Sequence, residues 1–264
     1  MIITLSTDSN YIKHSCHLLK SIAINSPGVR VHCRVVDCTE HEIQLLLSAH
    51  PSVIIVNEQL NLSTKRKYFR AGTVLSTDLY KRGPHGAHLL SHRQCFVSNT
   101  RYRNILYCLE VLNEDIVILL DADAIVRKDI TQLTDFIKQY DVLCNVATDV
   151  DRYPHRRCWE CSCIIAVNNN KTINFFKGVQ KMTEESMTDW DSDQFAIENV
   201  YNLDQSAISL CEDISHIEDL SWRDVTVENW NTISYKYDED NYIWPGSGEA
   251  KFTKPYLDEQ NKYK

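Results

Sequence analysis

Ile116-Val117-Ile118-Leu119-Leu120 runs directly into Asp121-Ala122-Asp123, and this stretch constrains the chain more than any other. Consecutive aliphatic residues without alternation describe a strand covered on both faces, as in a parallel sheet flanked by helices. Ending such a strand in paired acids places them at the carboxyl edge of the sheet, where open α/β folds bind ligands. Two carboxylates separated by one residue repel each other and are accommodated by a cation between or beside them. Oxygen-only ligands suit hard ions, so Asp121 and Asp123 are expected to hold Mg²⁺ or Mn²⁺, whose remaining ligands are commonly substrate phosphates. The competing reading makes Asp121 a cap and Asp123 a solvated acid, and the rest of the chain has to decide between them.

The chain before the acids alternates strand and helix at short spacing. Residues 2–6 form an apolar strand, Thr7-Asp8-Ser9-Asn10 a turn, and Tyr11, Ile12, Leu18, Leu19, Ile22 and Ala23 recur at helical spacing. Asp8 or Ser9 is the expected N-cap of that helix, and Pro27-Gly28 stops it. Residues 29–36 and 53–56 then read as strands around a helix over 40–49. This is a βαβ pattern, and the expected fold class is α/β with a mostly parallel central sheet. The first strand is not followed by G-x-G-x-x-G, which argues against a dinucleotide site. Residues 57–84 lack periodicity and read as a long functional loop; a helical pattern resumes near Gly86 and runs to Leu112, broken near Ser98-Asn99. Beyond the acids, a helix is expected over 130–140, strands over 142–148 and 163–167, and a helix from Phe195, with Asp191 or Ser192 as its cap.

At 264 residues the chain is long enough for one sizeable domain. The reading is one domain over 1–264, with 1–123 a nucleotide-binding half and 124–264 an acceptor and sugar half. No run of about eighteen apolar residues occurs, so no membrane span is expected. The apolar start lacks a basic leader, and the 10 cysteines therefore point to reduced thiols in a cytoplasm. Cys158-x-x-Cys161-x-Cys163 lacks a second ligand pair at finger spacing and is expected to be buried structure.

Charge is uneven. Between Lys65 and Arg103 there are nine basic residues and one acid, Asp78, in a chain of net charge −8. Lys65, Arg66, Lys67 and Arg70 lie among Tyr68, Phe69 and Tyr80, and suggest a surface for an anionic acceptor. Near the C-terminus, Gly246-Ser247-Gly248-Glu249-Ala250-Lys251 offers exposed N–H groups and one amine, which suits a diphosphate.

Five segments in order resemble the GT-A glycosyltransferases, most closely glycosyltransferase family 8: 6–11, Arg103, Asp121-Ala122-Asp123, 159–168 and Asp193-Gln194. The resemblance implies a GT-A fold and sugar transfer from a nucleotide-sugar donor, with a UDP-sugar favoured. It implies that Thr7, Asp8, Asn10 and Tyr11 form the nucleotide-binding turn, the tyrosine stacking on the base. Arg103 would reach the donor's diphosphate or sugar. Asp121 and Asp123 would be metal ligands, with Asp121 and Ala122 also at the donor. Glu160 stands where relatives carry an amide lining the sugar pocket. Asp193 and Gln194, with Asp191 close by, would sit at the reacting face, and Gly246, Gly248 and Lys251 at the diphosphate. Relatives usually place a histidine metal ligand before the glycine loop; this chain has Ile243-Trp244-Pro245 there. The acceptor is expected to be a hydroxyl, with a polyanion such as hydroxymethylated DNA in view. The alternatives are a lipopolysaccharide or other glycan acceptor, or a non-catalytic nucleic-acid-binding module.

Overall fold

The computed structural model describes residues 1–65, 67–70, 87–147, 158–185, 192–219, 237–246 and 250–264. The first half is β1 (Ile2–Asp8), α1 (Ile12–Asn25), β2 (Arg30–Val36), α2 (Glu40–Ala49) and β3 (Val53–Glu58). A two-stranded pair, β4 (Lys67–Arg70) and β5 (Ala87–Leu90), follows. Then come α3 (His92–Asn99), α4 (Arg101–Leu106), a π-helical turn over Tyr107–Val111, and β6 (Ile116–Leu120). The remainder is β7 (Ile125–Val126), α5 (Thr134–Ile137), β8 (Val142–Ala147), β9 (Cys158–Val167), α6 (Asn170–Glu185), α7 (Ser192–Leu203), β10 (Leu210–Cys211), β11 (Ile243–Trp244) and α8 (Lys254–Asn261).

Seven strands form one sheet in the order β10-β8-β9-β6-β1-β2-β3. β6, β1, β2 and β3 are mutually parallel, while β9 runs antiparallel between β6 and β8. The unbroken apolar run of β6 has a direct cause. Ile116, Ile118 and Leu120 face one core with Leu5, Leu18 and Ile165, while Val117 and Leu119 face the other with Tyr102, Ile164 and Phe176. Helices cover both sides, so every residue of β6 is buried. Each such side chain contributes about 1.5–3 kcal/mol relative to exposure.

Local chemistry sets several boundaries differently from the periodicity. Asp8 does not cap α1. Its carboxylate accepts the backbone N–H of Asn10 at 3.0 Å and the Asn10 side-chain amide at 3.2 Å, an Asx turn that leaves Tyr11 at the N-cap. The helix expected from Gly86 starts instead at His92, because Ser91 and Gln94 form a reciprocal capping box. Residues 87–90 pair with 67–70, a non-local contact that periodicity does not carry. The break near Asn99 is present, with Thr100 between α3 and α4. The helix expected over 130–140 is a 3₁₀ turn, Ile130–Leu133, running into the short α5. Between β8 and β9 the register shifts around Asn145, so β9 bulges beside the end of β6.

Candidate active site

β1 and β6 are adjacent and parallel, so Asp8 and the Asp121–Asp123 pair emerge at the same edge of the sheet. Thr7 and Asp8 are buried there. Thr7 Oγ1 accepts the Ser15 hydroxyl at 2.7 Å, tying the strand to α1. Arg93 donates to Ser9 Oγ at 3.0 Å and pairs with Asp37 at 3.2 Å, bracing the turn from outside. Asp37, at φ 52, accepts the backbone N–H groups of Leu60, Asn61 and Leu62. Burial works against its charge, but those three bonds and Arg93 together hold the carboxyl below its ordinary range.

The centre of the site is an ion-pair cluster. Arg101, at the start of α4, donates through Nη1 to Asp121 Oδ1 at 3.0 Å and to the Cys161 carbonyl at 2.7 Å. Its Nε donates to the Ser98 carbonyl at 3.0 Å and stands 3.3 Å from Asp193 Oδ2. Desolvation opposes the guanidinium charge, but Asp121 and Asp193 outweigh it. The Asp121 carboxyl is raised to about 6, first by burial and then by Asp123 and Asp193, with Arg101 acting against them. Its backbone N–H donates to the Ser162 carbonyl at 3.0 Å, fastening the end of β6 to the bulge in β9.

Asp123 is held by the C-terminal segment. Lys251 Nζ lies 2.7 Å from Asp123 Oδ2 and 3.3 Å from the Tyr11 hydroxyl, with the ammonium 4.9 Å from the Tyr11 ring centroid. Burial disfavours this charge, but Asp123 and Tyr11 more than offset it and raise the Lys251 pKa. Tyr256 donates its hydroxyl to the Asp123 carbonyl at 2.5 Å. Gly246 presses on the same residue: a Cβ there would stand 2.3 Å from the Asp123 carbonyl oxygen and 2.8 Å from its Cγ. Only a residue without a side chain allows this approach.

Among the expected site residues, the structure thus brings together Tyr11, Asp121, Asp123, Asp193, Gly246 and Lys251. Ala122 is buried between the two acids and Glu160 is buried on β9. Gln194 follows Asp193 in the first turn of α7, its N–H donating to Asp193 Oδ1 at 2.9 Å. Asn10 stays at the turn, bonded to Asp8. Arg103 does not reach the acids. It points outward from α4 to Glu184 at 2.8 Å and lies over the Phe96 ring. The arginine beside the acids is Arg101, two residues earlier, on the side of α4 that meets the end of β6 and α7. Asp191, Arg66 and Gly248 lie outside the described residues, as do the side chains of Lys67 and Arg70. Lys65 is exposed. The basic stretch is less of an open surface than composition suggests, since Arg93, Arg101 and Arg103 all pair with acids of this chain. Cys161 and Cys163 are buried free thiols, as expected. Among the described residues no helix is long and apolar enough to cross a membrane.

Sequence reasoning missed Arg101, Arg93 and Tyr256. Arg101 had one signal, its place at the first helical position after the break at Asn99-Thr100. The other two act through contacts far along the chain.

Comparison with solved structures shows the fold. The galactosyltransferase LgtC in complex with donor and acceptor sugar analogues superposes with a TM-score of 0.56 at 14% identity, covering 99% of this chain and 96% of that one. An active-site mutant of LgtC gives 0.56 at 15% identity, over 94% of this chain and 88% of that one. The bifunctional glycosyltransferase WbbM gives 0.55 at 13% identity, over 100% of this chain and 49% of that one. The fold is GT-A, the central mixed sheet common to these glycosyltransferases. No curated protein sequence matches the chain. The family model for glycosyl transferase family 8 matches residues 2–179, from β1 through the acid pair and β9 into α6. The chain belongs to glycosyl transferase family 8 and is a nucleotide-sugar-dependent glycosyltransferase.

Proposed function

We propose that the chain transfers a sugar from a nucleoside-diphosphate sugar, a UDP-sugar in the first instance, to a hydroxyl acceptor, with a divalent metal at Asp121 and Asp123. The observation that carries this is the convergence of two acid–cation pairs, Asp121 with Arg101 and Asp123 with Lys251, at one sheet edge beside Tyr11. The acid pair fits a hard divalent ion. Both carboxylates are oxygen donors one residue apart, and burial first, then Asp123, raises the Asp121 carboxyl, a cost that a cation beside them would offset. Among the described residues no third His, Cys, Asp or Glu joins the pair. When bound, Mn²⁺ or Mg²⁺ would neutralise charge developing on the departing diphosphate.

The chain's own groups account for the rest. As the bond between the anomeric carbon and the diphosphate oxygen breaks, the electron pair leaves with the phosphate. Lys251, already in the pocket as a compact point charge, is the group to receive it. Movement of Lys251 onto the diphosphate uncovers the Tyr11 ring for a base. Arg101 keeps Asp121 and Asp193 in place, so that Asp193 and Gln194 line the reacting face and support the positive charge that develops on the sugar. The acceptor oxygen forms the new bond to the anomeric carbon, and its proton passes to the departing diphosphate, which has gained the electron pair.

The test is release of nucleoside diphosphate from UDP-, GDP-, CMP- and dTDP-sugars, with Mn²⁺, with Mg²⁺ and with EDTA. Metal-dependent release from one donor, lost in folded Asp121→Ala and Asp123→Ala variants, is expected. A folded Asp123→Ala variant with full turnover would overturn the assignment. For an anionic acceptor such as DNA, the supporting residues are Lys65, Arg66, Lys67 and Arg70. Steep salt dependence of acceptor binding, lost when they are neutralised, is the corresponding result; a flat response would indicate an uncharged glycan.

A further inference from the structure

Behind the acid pair lies a carboxyl group that the transfer chemistry does not use. Glu218 is 0% exposed. It follows the tight turn closed by the N–H groups of Ile217 and Glu218 on the Ile214 carbonyl, and it bridges to Ile243 at the start of β11. One oxygen, Oε2, accepts the Asn145 side-chain amide at 3.1 Å; Asn145 in turn accepts the Ile214 N–H at 2.9 Å from its place in the β8 irregularity. The other oxygen, Oε1, is buried without a hydrogen-bond partner. So is the hydroxyl of Ser162, on the neighbouring β9 bulge. That serine carries the carbonyl to which the Asp121 N–H is fastened. Orphaned buried polar atoms are uncommon. The pair is satisfied either by the Ser162 hydroxyl donating to an ionised Oε1 or by Oε1–H donating to Ser162 Oγ. Burial sets the choice between them: a carboxyl that is fully buried, with one neutral amide donor on its other oxygen, is cheaper to keep neutral.

We propose that Glu218 is a positioning residue that holds a proton behind Asp121, securing Ser162 and the end of β6 while keeping a further negative charge out of the donor site. The charged surroundings favour the neutral form. Among the described residues no basic group pairs with Glu218. The titratable groups that face it are Asp121 after β6, Cys144 on β8, Cys163 on β9 and Asp219 beside it, none of them cationic. β11 presents Ile243 and Trp244, which do not titrate. Burial above all, then Asp121 and Asp219, push the Glu218 carboxyl to about 8 despite help from Ser162 and Asn145. The site in front already holds Asp121, Asp123 and Asp193 against Arg101 and Lys251. Ionised Glu218 would add to that excess from behind the acid pair that an anionic diphosphate has to approach.

The inference rests on the nucleotide-sugar reading, so its test has one arm that needs no turnover. The folded-state pKa of Glu218 lies above its unfolded value. The stability contributed by the neutral form is therefore complete below about 4.5 and lost as pH rises through about 8. Melting temperature against pH should fall more steeply for the wild type than for Glu218→Gln, whose amide keeps the size and cannot ionise. In the activity arm, Glu218→Gln should keep kcat at pH 7 within about twofold of wild type. The wild-type KM for the donor should rise about fivefold between pH 8 and pH 9, and this rise should vanish in the variant with little change in kcat. Infrared titration of the wild type, which does not depend on the variant folding, should show a neutral carboxylic-acid band disappearing near pH 8. Parallel melting curves, no such band, or an unchanged alkaline limb in Glu218→Gln would overturn the proposal. If neither protein releases nucleotide while the melting curves diverge, the failure belongs to the donor reading and not to Glu218.

Discussion

Asp121 and Asp123 are one residue apart, yet they are held in opposite ways. Asp121 faces a guanidinium whose N–H groups also engage Asp193, the Cys161 carbonyl and the Ser98 carbonyl, so Arg101 is anchored from α3, β9 and α7 at once. Asp123 faces an ammonium with a carboxylate and a phenol as partners, at the end of a flexible stem on a 3₁₀ turn. The difference separates scaffold from working group. Arg101 cannot leave without stranding two acids. In the proposed reaction Lys251 would exchange Asp123 for a phosphate oxygen once another cation takes its place on the carboxylate.

The largest expected effect comes from breaking the anchored side. Arg101→Leu removes the shared partner of Asp121 and Asp193 and should cost about 3 kcal/mol in denaturant unfolding, because Asp193 is left buried without it while Asp121 is partly exposed. A loss below about 1 kcal/mol would show Arg101 to be as replaceable as Lys251. Lys251→Met addresses the exchangeable side. The protein should still fold, at a cost of about 1–3 kcal/mol because Asp123 is left buried without its ammonium, while nucleotide release drops about 10²–10³-fold, as when one charge-stabilising group is removed. In the same variant, Mn²⁺ should bind more tightly than to wild type when no donor is present, since the ion no longer competes with an ammonium for Asp123. Titration followed by the Mn²⁺ resonance signal reads this directly, and weaker binding would mean that lysine and metal do not share the carboxylate. Gly246→Ala should destabilise by about 1–3 kcal/mol through overpacking against the Asp123 main chain, with a larger effect on KM for the donor than on stability elsewhere. Arg103→Ala, at the half-exposed pair with Glu184, should change unfolding by less than about 1 kcal/mol and leave turnover intact.

What the residues disclosed in advance was whatever depends on local pattern. The β6 run and its two acids were legible because a strand covered on both faces has no polar alternation to confuse it. The β1-α1-β2-α2-β3 half was legible because apolar spacing and turn residues agree there. Ser91-x-x-Gln94 was also in plain view as a capping box, and it sets the true start of α3 against the looser helical pattern beginning near Gly86. Contacts over long separations were not legible. Lys251 meets Asp123 across 128 positions, and the glycine loop suggests a diphosphate site but not that Gly246 packs on Asp123. Glu218 could not have been singled out, since one acid among Ile217 and Asp219 looks like any surface turn until its burial is known.

Between α4 and β6 lies the π turn over Tyr107–Val111, where the Leu112 N–H reaches back five residues to the Tyr107 carbonyl at 3.1 Å. Such a turn absorbs one residue more than an α-helix would, and each residue is worth about 100° of rotation. The turn is a phase adjuster between the helix that carries the cation and the strand that carries the acid. Deleting a single residue from 107–111 would leave composition and both flanking elements intact, yet it would turn α4 against β6 like a key cut one notch short, and Arg101 would no longer meet Asp121.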